Sequence, residues 1–241
     1  MSSKPWTSGP QELIDHAIQH LKGKSAFDCR IAMISIDNAV ELTIKTFLGL
    51  PKRIRGSDGP GRRELEEAGF SFPDLLDLLE KHGQDRLAGV DLGDIEAYHR
   101  LRNALYHDGN GVTVDPQHVD GYLQVAKAVV KNLLGIDFDS AQEPPATDVG
   151  TLVLQWAALE FAVRRLAEKH LPKQKSLGIP LVEIVDGLVS KRILDGSFRS
   201  RLEKVARARN GIVHGIALPP AKDLTNVISE LVKLRSELPP A

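Results

Sequence analysis

Two short stretches of the sequence place arginine, asparagine and histidine at one spacing, with Asn directly after Arg and His four residues after Asn. These residues are Arg102, Asn103 and His107, and Arg209, Asn210 and His214. On an α-helix, residues four apart share a face, so the Asn side chain can hydrogen-bond the imidazole and fix its orientation. The long Arg side chain can reach the same pocket. Because histidine transfers protons and arginine is always charged, each motif predicts acid–base chemistry beside a positive charge.

The two motifs belong to a longer internal repeat. The motif arginines are 107 residues apart (209 − 102), and Glu41 matches Glu160 further upstream at an offset of 119 (160 − 41). The 12 extra residues are absorbed by a longer Arg-rich loop in the first half. A duplicated helical unit predicts two halves that pack as an intramolecular pseudo-dimer. One arginine and one histidine from each half would then meet in a single cleft.

The acidic and basic residues around each motif have two interpretations. Glu41 and Glu160 lie on otherwise apolar helices, and a buried carboxylate needs a partner, so we expect them to support the site by pairing with an inward-facing arginine. The alternative is that each motif is only a polar helix end whose Arg pairs with that Glu. Propensity alone does not place Asn inside a helix twice, which favours a functional motif. Arg100 and Arg207 are either solvated or phosphate-binding.

Apolar spacing predicts helices along nearly the whole chain, and no segment alternates long enough for a strand. The fold class is therefore all-α, with two helical bundles at residues 1–140 and 147–241. A linker is predicted at 135–147, where Pro144 and Pro145 lie in a polar setting. The predicted helices are 13–21, 27–48, 71–80, 92–107, 116–134, 148–170, 180–190, 197–214 and 223–238. Between them, residues 51–69 predict a mobile basic loop that is either solvated or attracts nucleic acid electrostatically.

Composition excludes several classes of protein. The chain has 241 residues, 31 basic against 32 acidic side chains and a single cysteine, Cys29, so it can form no internal disulfide. No signal peptide or membrane-spanning run is present, which predicts a cytoplasmic protein with no membrane partner. His16 and His20 lie four apart but lack a third ligand, so we interpret them as a surface pair. No set of acidic residues suits two-metal catalysis, so no metal and no cofactor is expected.

With these motifs at helix ends in an all-α repeat, the sequence resembles the HEPN superfamily, as a tandem HEPN pair in one chain. HEPN domains are helical nuclease and nucleotide-binding modules that carry Arg, four to six residues and then His, often with a polar residue directly after the Arg. An acidic residue in an earlier helix, here Glu41 or Glu160, is also familiar from such domains. The Tyr that some HEPN toxins have two residues after the His is replaced here by Gly109 and Ile216.

The resemblance implies a metal-independent endoribonuclease of toxin or phage-defence type. RNA would be the substrate, and its own 2′-hydroxyl would be the nucleophile at a composite Arg/His site. An antitoxin or nucleotide-sensing partner and a homodimer are further expectations. The alternative is a non-catalytic HEPN-type module that binds nucleotide, RNA or a partner protein. Which histidine is the base and which the acid is left open by the residues themselves.

Overall fold

A computed structural model describes residues 6–23, 25–69, 71–107, 113–138, 146–171, 179–215 and 218–240. These residues form an all-α fold, as predicted, with no strand among them. The helices are α1 (Ser8–Gly23), α2 (Ala26–Gly49), α3 (Lys52–Arg55), α4 (Arg62–Ala68), α5 (Phe72–Gly83), α6 (Leu92–His107), α7 (Pro116–Leu134), α8 (Asp148–His170), α9 (Leu181–Ser190), α10 (Gly196–Val213) and α11 (Ala221–Ser236). Within the described ranges, no helix is both long enough and apolar enough to cross a bilayer.

Local sequence signals explain where the longer helices begin. Ser25 caps α2 by accepting from the backbone N–H of Asp28, whose carboxylate accepts in return from the Ser25 backbone. Ser71 caps α5 and Thr147 caps α8 in the same way, through their hydroxyl groups. Gly135 ends α7 in the left-handed conformation, with φ of 71°, which favours glycine.

The prediction of a mobile basic loop at residues 51–69 is wrong, because this segment contains the short helices α3 and α4. Arg55 is buried there and donates to the carbonyl oxygen of Leu48 at 2.7 Å. Its guanidinium also lies 5.8 Å from the centre of the Phe47 ring. Arg63 pairs with Glu67 on the same helix. One basic side chain is thus paired with a carboxylate and another is buried, which weakens the case for the segment as an RNA-steering patch.

Two central helices organise the packing. In the first half, α2 packs against α1, α5, α6 and α7; in the second half, α8 packs against α9, α10 and α11. The two halves meet where α7 contacts α8. The backbone N–H of Thr147 donates to Asp120 on α7 at 2.6 Å, so the start of α8 is tied to the first half. The apolar core runs continuously through both halves, and the division into two domains stays a prediction.

The close approach of α7 to α8 depends on a glycine, which gives a stability test. A Cβ at Gly121 would lie 2.6 Å from the Tyr98 hydroxyl and 2.9 Å from Val149 Cγ1, whereas one at Gly211 would meet nothing within 4 Å. Overpacking costs about 1–3 kcal/mol and alanine regains up to about 1 kcal/mol of helix propensity. We expect Gly121→Ala to lower the Tm by roughly 2–8 °C.

Gly211→Ala is the matched control, because it gains the same helix propensity without the clash. Its Tm should be equal to that of the wild type or slightly higher in thermal unfolding followed by circular dichroism. A Gly121→Ala protein as stable as Gly211→Ala would contradict the close packing of α7 on α8.

Candidate functional site

The first motif lies on α6, and its arginine is held against α2. Arg102 Nε lies 2.8 Å from Asp37 Oδ2. Its Nη2 donates to Asn38 Oδ1 at 3.0 Å and its Nη1 donates to Asn103 Oδ1 at 2.9 Å. The Arg102 side chain remains 17% exposed. The guanidinium is therefore fixed in orientation but still reaches the surface.

Several side chains of the first half contact Asp37, whose carboxylate is fully buried. Tyr122 donates its hydroxyl proton to Asp37 Oδ1 at 2.8 Å, and His99 Nδ1 lies 3.0 Å from Asp37 Oδ2. The His99 ring stacks on Phe72 with 3.8 Å between ring centres. Burial raises the pKa of Tyr122 well above its ordinary value, and the negative charge of Asp37 adds to the shift. Tyr122 therefore stays protonated and serves as a hydrogen-bond donor.

The second motif is anchored differently, on a carboxylate from the other half of the chain. Arg209 makes a two-pronged ion pair with Asp94 on α6, with Nη1 2.5 Å from Oδ1 and Nη2 on Oδ2. Arg209 is 1% exposed, and its guanidinium lies 5.5 Å from the centre of the Trp156 ring. Its Nη1 also donates to Asn210 Oδ1 at 3.1 Å. Arg209 is thus an internal anchor between the halves rather than a surface cation.

His214, the last residue of the second motif, is bound to the same carboxylate. Its Nε2 lies 2.8 Å from Asp94 Oδ1, while a third of the side chain remains exposed. The imidazole is therefore held at one nitrogen by a buried acceptor and open to solvent on another side. This is the arrangement of a histidine oriented for proton transfer.

The structure corrects the expected role of Asn210 in the second motif. Asn210 was expected to hold the imidazole, but its side chain accepts from Arg209, and its backbone carbonyl accepts from the His214 N–H at 2.9 Å. Asn103 accepts from Arg102 in the same way. The Asn210 oxygen is occupied by the arginine, and the His214 ring is held by Asp94 instead. His107 ends α6, but its side chain lies outside the described residues, and so does its distance from His214.

The acidic residues of the repeat form equivalent local pairs. Glu41 Oε1 lies 2.6 Å from Lys45 Nζ, and Glu160 Oε1 lies 2.8 Å from Arg164 Nη2. Glu41 also lies 4.0 Å from the motif arginine Arg102. Both glutamates therefore pair one turn further along their own helix, and the carboxylates that bind the motif arginines are Asp37 and Asp94.

The two remaining candidate residues lie on the surface. Arg100 Nη1 lies 2.8 Å from Glu96 Oε1, and Arg207 Nε donates to the carbonyl oxygen of Glu203 at 3.4 Å. Both side chains are exposed. Their contacts are those of ordinary helix-surface arginines, and each remains free to move toward a ligand.

Two buried tyrosines, Tyr98 and Tyr122, stack on each other with ring centres 4.6 Å apart. Tyr122 bonds Asp37, as described above. The buried hydroxyl of Tyr98 has no hydrogen-bond partner within the described residues. Burial raises the pKa of Tyr98, and the nearby charge of Asp94 adds to the shift. Tyr122 therefore bonds the carboxylate of the first motif directly, whereas Tyr98 is affected by the carboxylate of the second motif through its charge.

A cavity of about 590 Å³ opens beside the second motif and is bordered by Trp156 and Ala206. Its charged lining residues are Asp77, Glu80, Asp91, Glu96, Glu160 and Arg164. Five carboxylates against one guanidinium give this cavity a negative potential, which repels a phosphodiester backbone.

Four residues around the two buried carboxylates were not predicted from the sequence, namely Asp37, Asp94, His99 and Tyr122. The signal for Asp37 was a carboxylate within the apolar run 31–40, which resembles the pattern used to select Glu41. Asp94 sits in the first turn of α6, where an acidic residue is ordinary. The arginines that pair with Asp37 and Asp94 could not be assigned without the three-dimensional arrangement of the helices.

Comparisons with known proteins do not identify the chain: no family model matches it, and no similar protein was found among curated sequences or solved structures. Within the described ranges, no group of three or more His, Cys, Asp or Glu side chains is arranged to hold a metal ion.

The ion pair between Glu160 and Arg164 gives a pH-dependent prediction. Burial raises the pKa of Glu160 above its ordinary value of 4.5, although Arg164 opposes the shift. The folded state therefore binds this proton more tightly than the unfolded state, and ionisation opposes folding once the pH rises above about 4.5. We expect Glu160→Gln, which keeps an oxygen acceptor for Arg164, to have a higher Tm than the wild type at pH 7, with the difference disappearing below pH 4.5.

Glu41→Gln is the control, because Glu41 holds the matching position but is 29% exposed. Its effect should stay within about 0.5 kcal/mol across the same pH range. Thermal unfolding at several pH values measures both variants. A Glu160→Gln protein that is less stable than the wild type at pH 7 would show that the pair with Arg164 outweighs the burial of the carboxylate.

Proposed function

We propose that the chain is a metal-independent endoribonuclease that cleaves RNA by 2′-hydroxyl transesterification. The observation that carries the proposal is the second motif: His214 is partly exposed, and a buried carboxylate that also binds the motif arginine holds it in one orientation. The matching Arg-to-Asn hydrogen bonds of the two motifs support a duplicated site over an accidental sequence repeat.

The chemistry needs proton transfer and charge stabilisation only. A histidine takes the proton of the RNA 2′-hydroxyl, the O2′–P bond forms, and the P–O5′ bond breaks as a second histidine donates a proton to O5′. The products are a 2′,3′-cyclic phosphate and a 5′-hydroxyl. His107 and His214 are the proposed pair, and no cofactor takes part.

Arg102 is the proposed phosphate-binding residue. Its guanidinium has a fixed orientation and reaches the surface, so it can stabilise negative charge that develops on the phosphate oxygens. Arg209 is 1% exposed, and its charge is already matched by Asp94. Its proposed contribution is to hold Asp94 and the end of α10 in place, with no direct contact to RNA.

A second candidate function is a non-catalytic module that binds RNA, nucleotide or a partner protein. The burial of Arg209 favours it, because a composite nuclease with two phosphate-binding arginines would leave both accessible. A toxin or phage-defence role, an antitoxin or nucleotide-sensing partner, a homodimer and a cytoplasmic location belong to the same proposal and derive from the HEPN resemblance.

The proposed reaction predicts a specific pattern of cleavage. The purified protein should cut labelled RNA but not DNA of the same sequence, because DNA lacks the nucleophile. EDTA should have no effect, and the new ends should be a cyclic phosphate and a 5′-hydroxyl. Arg102→Ala should reduce the rate by about 10²–10³-fold, which is typical for loss of one group that stabilises transition-state charge.

Arg165→Ala is the matched control, since Arg165 is exposed on α8 and lies over the Phe161 ring. It should cut RNA at the wild-type rate. Cleavage that EDTA abolishes and magnesium restores would contradict the metal-independent mechanism. Protein that binds RNA without cutting it would support the non-catalytic module.

A further inference from the structure

We infer that His214 is the general base of the site, acting through Nδ1, and that Asp94 is the positioning residue that fixes this tautomer. The inference rests on the proposed ribonuclease function and assigns the two proton-transfer roles that the motif sequence leaves open.

Asp94 determines which nitrogen of the His214 ring carries the proton. Asp94 is 1% exposed, and both its oxygens are bound by Arg209, so it is held as an ionised carboxylate that can only accept hydrogen bonds. The nitrogen 2.8 Å from it, His214 Nε2, must then carry the proton. In the neutral ring, this leaves Nδ1 with a free lone pair, which is the group that can take a proton from a 2′-hydroxyl.

The position of the ring keeps this nitrogen accessible. The His214 side chain is 33% exposed, and within the part of the chain that the structure describes no hydrogen bond is made by Nδ1. The ring lies over the first turn of α6 at Gly93, where a Cβ would lie 3.9 Å from Cε1.

The repeat has no second carboxylate at the position that matches Asp94. The offset of 107 residues that relates the motifs places Arg201 there (94 + 107). Arg201 is paired with Glu230 and Glu237, at 2.6 Å each. The base role therefore goes to His214, whose tautomer Asp94 fixes, and the leaving-group acid is assigned to His107 as the other motif histidine.

The two protons then follow defined routes. His214 Nδ1 takes the proton from the 2′-hydroxyl as O2′ bonds to phosphorus. The P–O5′ bond breaks, and protonated His107 gives its proton to O5′. Exchange with water returns both imidazoles to their starting states, so no other reactant is needed.

An RNA in which the scissile O5′ is replaced by sulfur separates the two roles. A thiolate leaves without protonation, so this substrate needs the base but not the acid. On ordinary RNA, His107→Ala and His214→Ala should each lose about 10²–10⁴-fold, which is the usual value of general acid–base catalysis. On the sulfur-substituted RNA, His107→Ala should recover to within about tenfold of the wild type, and His214→Ala should keep its loss.

Asp94 variants test the positioning role with the same two substrates. Asp94→Asn should lose activity on both RNAs, as His214→Ala does, because an amide no longer fixes the tautomer. Asp94→Glu, which keeps the charge, should regain part of the loss. Glu96→Gln is the control on the same helix, at an exposed surface pair, and should match the wild type on both substrates. Circular dichroism verifies the fold of each variant.

The possible outcomes are distinct. If the wild type cuts neither substrate, the proposed ribonuclease function fails, and the assignment fails with it. If the wild type cuts both and sulfur substitution rescues His214→Ala, or rescues both histidine variants equally, the assignment alone is overturned. Rescue of Asp94→Asn by the sulfur substrate would overturn the positioning role of Asp94.

Discussion

The buried ion pair between Asp94 and Arg209 is the interaction on which the rest of the arrangement depends. It joins α6 of the first half to α10 of the second, and both side chains are almost fully removed from water. Burying a charge costs several kcal/mol unless its partner is present with good geometry, so neither residue is tolerated without the other. Because His214 shares the same carboxylate, the position of its imidazole depends on how the halves pack.

This interaction also explains why the repeat is not symmetric. Adding the offset of 119 residues to Asp37 gives Trp156 (37 + 119). The second half thus has an aromatic ring where the first half has its carboxylate, and the guanidinium of Arg209 lies over that ring. The missing charge comes from Asp94 across the interface. The two halves are therefore unequal: one has a partly exposed arginine and the other has a carboxylate-bound histidine.

The limits of several helices could be predicted from the sequence, because they depend on residues that are close together in the chain. Helix α8 was predicted at 148–170 and spans Asp148–His170, because apolar periodicity and a capping threonine mark its limits. The polar contacts of the site were not predictable, since Arg209 bonds a residue 115 positions away, and no periodicity reports that distance. The basic segment at 51–69 was misjudged because its glycines and prolines suggested a loop, while Arg55 could fold inward onto backbone oxygens.

Asp94 and Arg209 stabilise one another across the two halves, and a double-mutant cycle measures this coupling. Urea unfolding of the wild type, Asp94→Ala, Arg209→Ala and the double variant gives the coupling free energy. Each single change leaves an unpaired buried charge and should cost about 3–5 kcal/mol. The double variant should cost about 1–3 kcal/mol less than the sum of the two. Additive losses, with a coupling energy near zero, would contradict the claim.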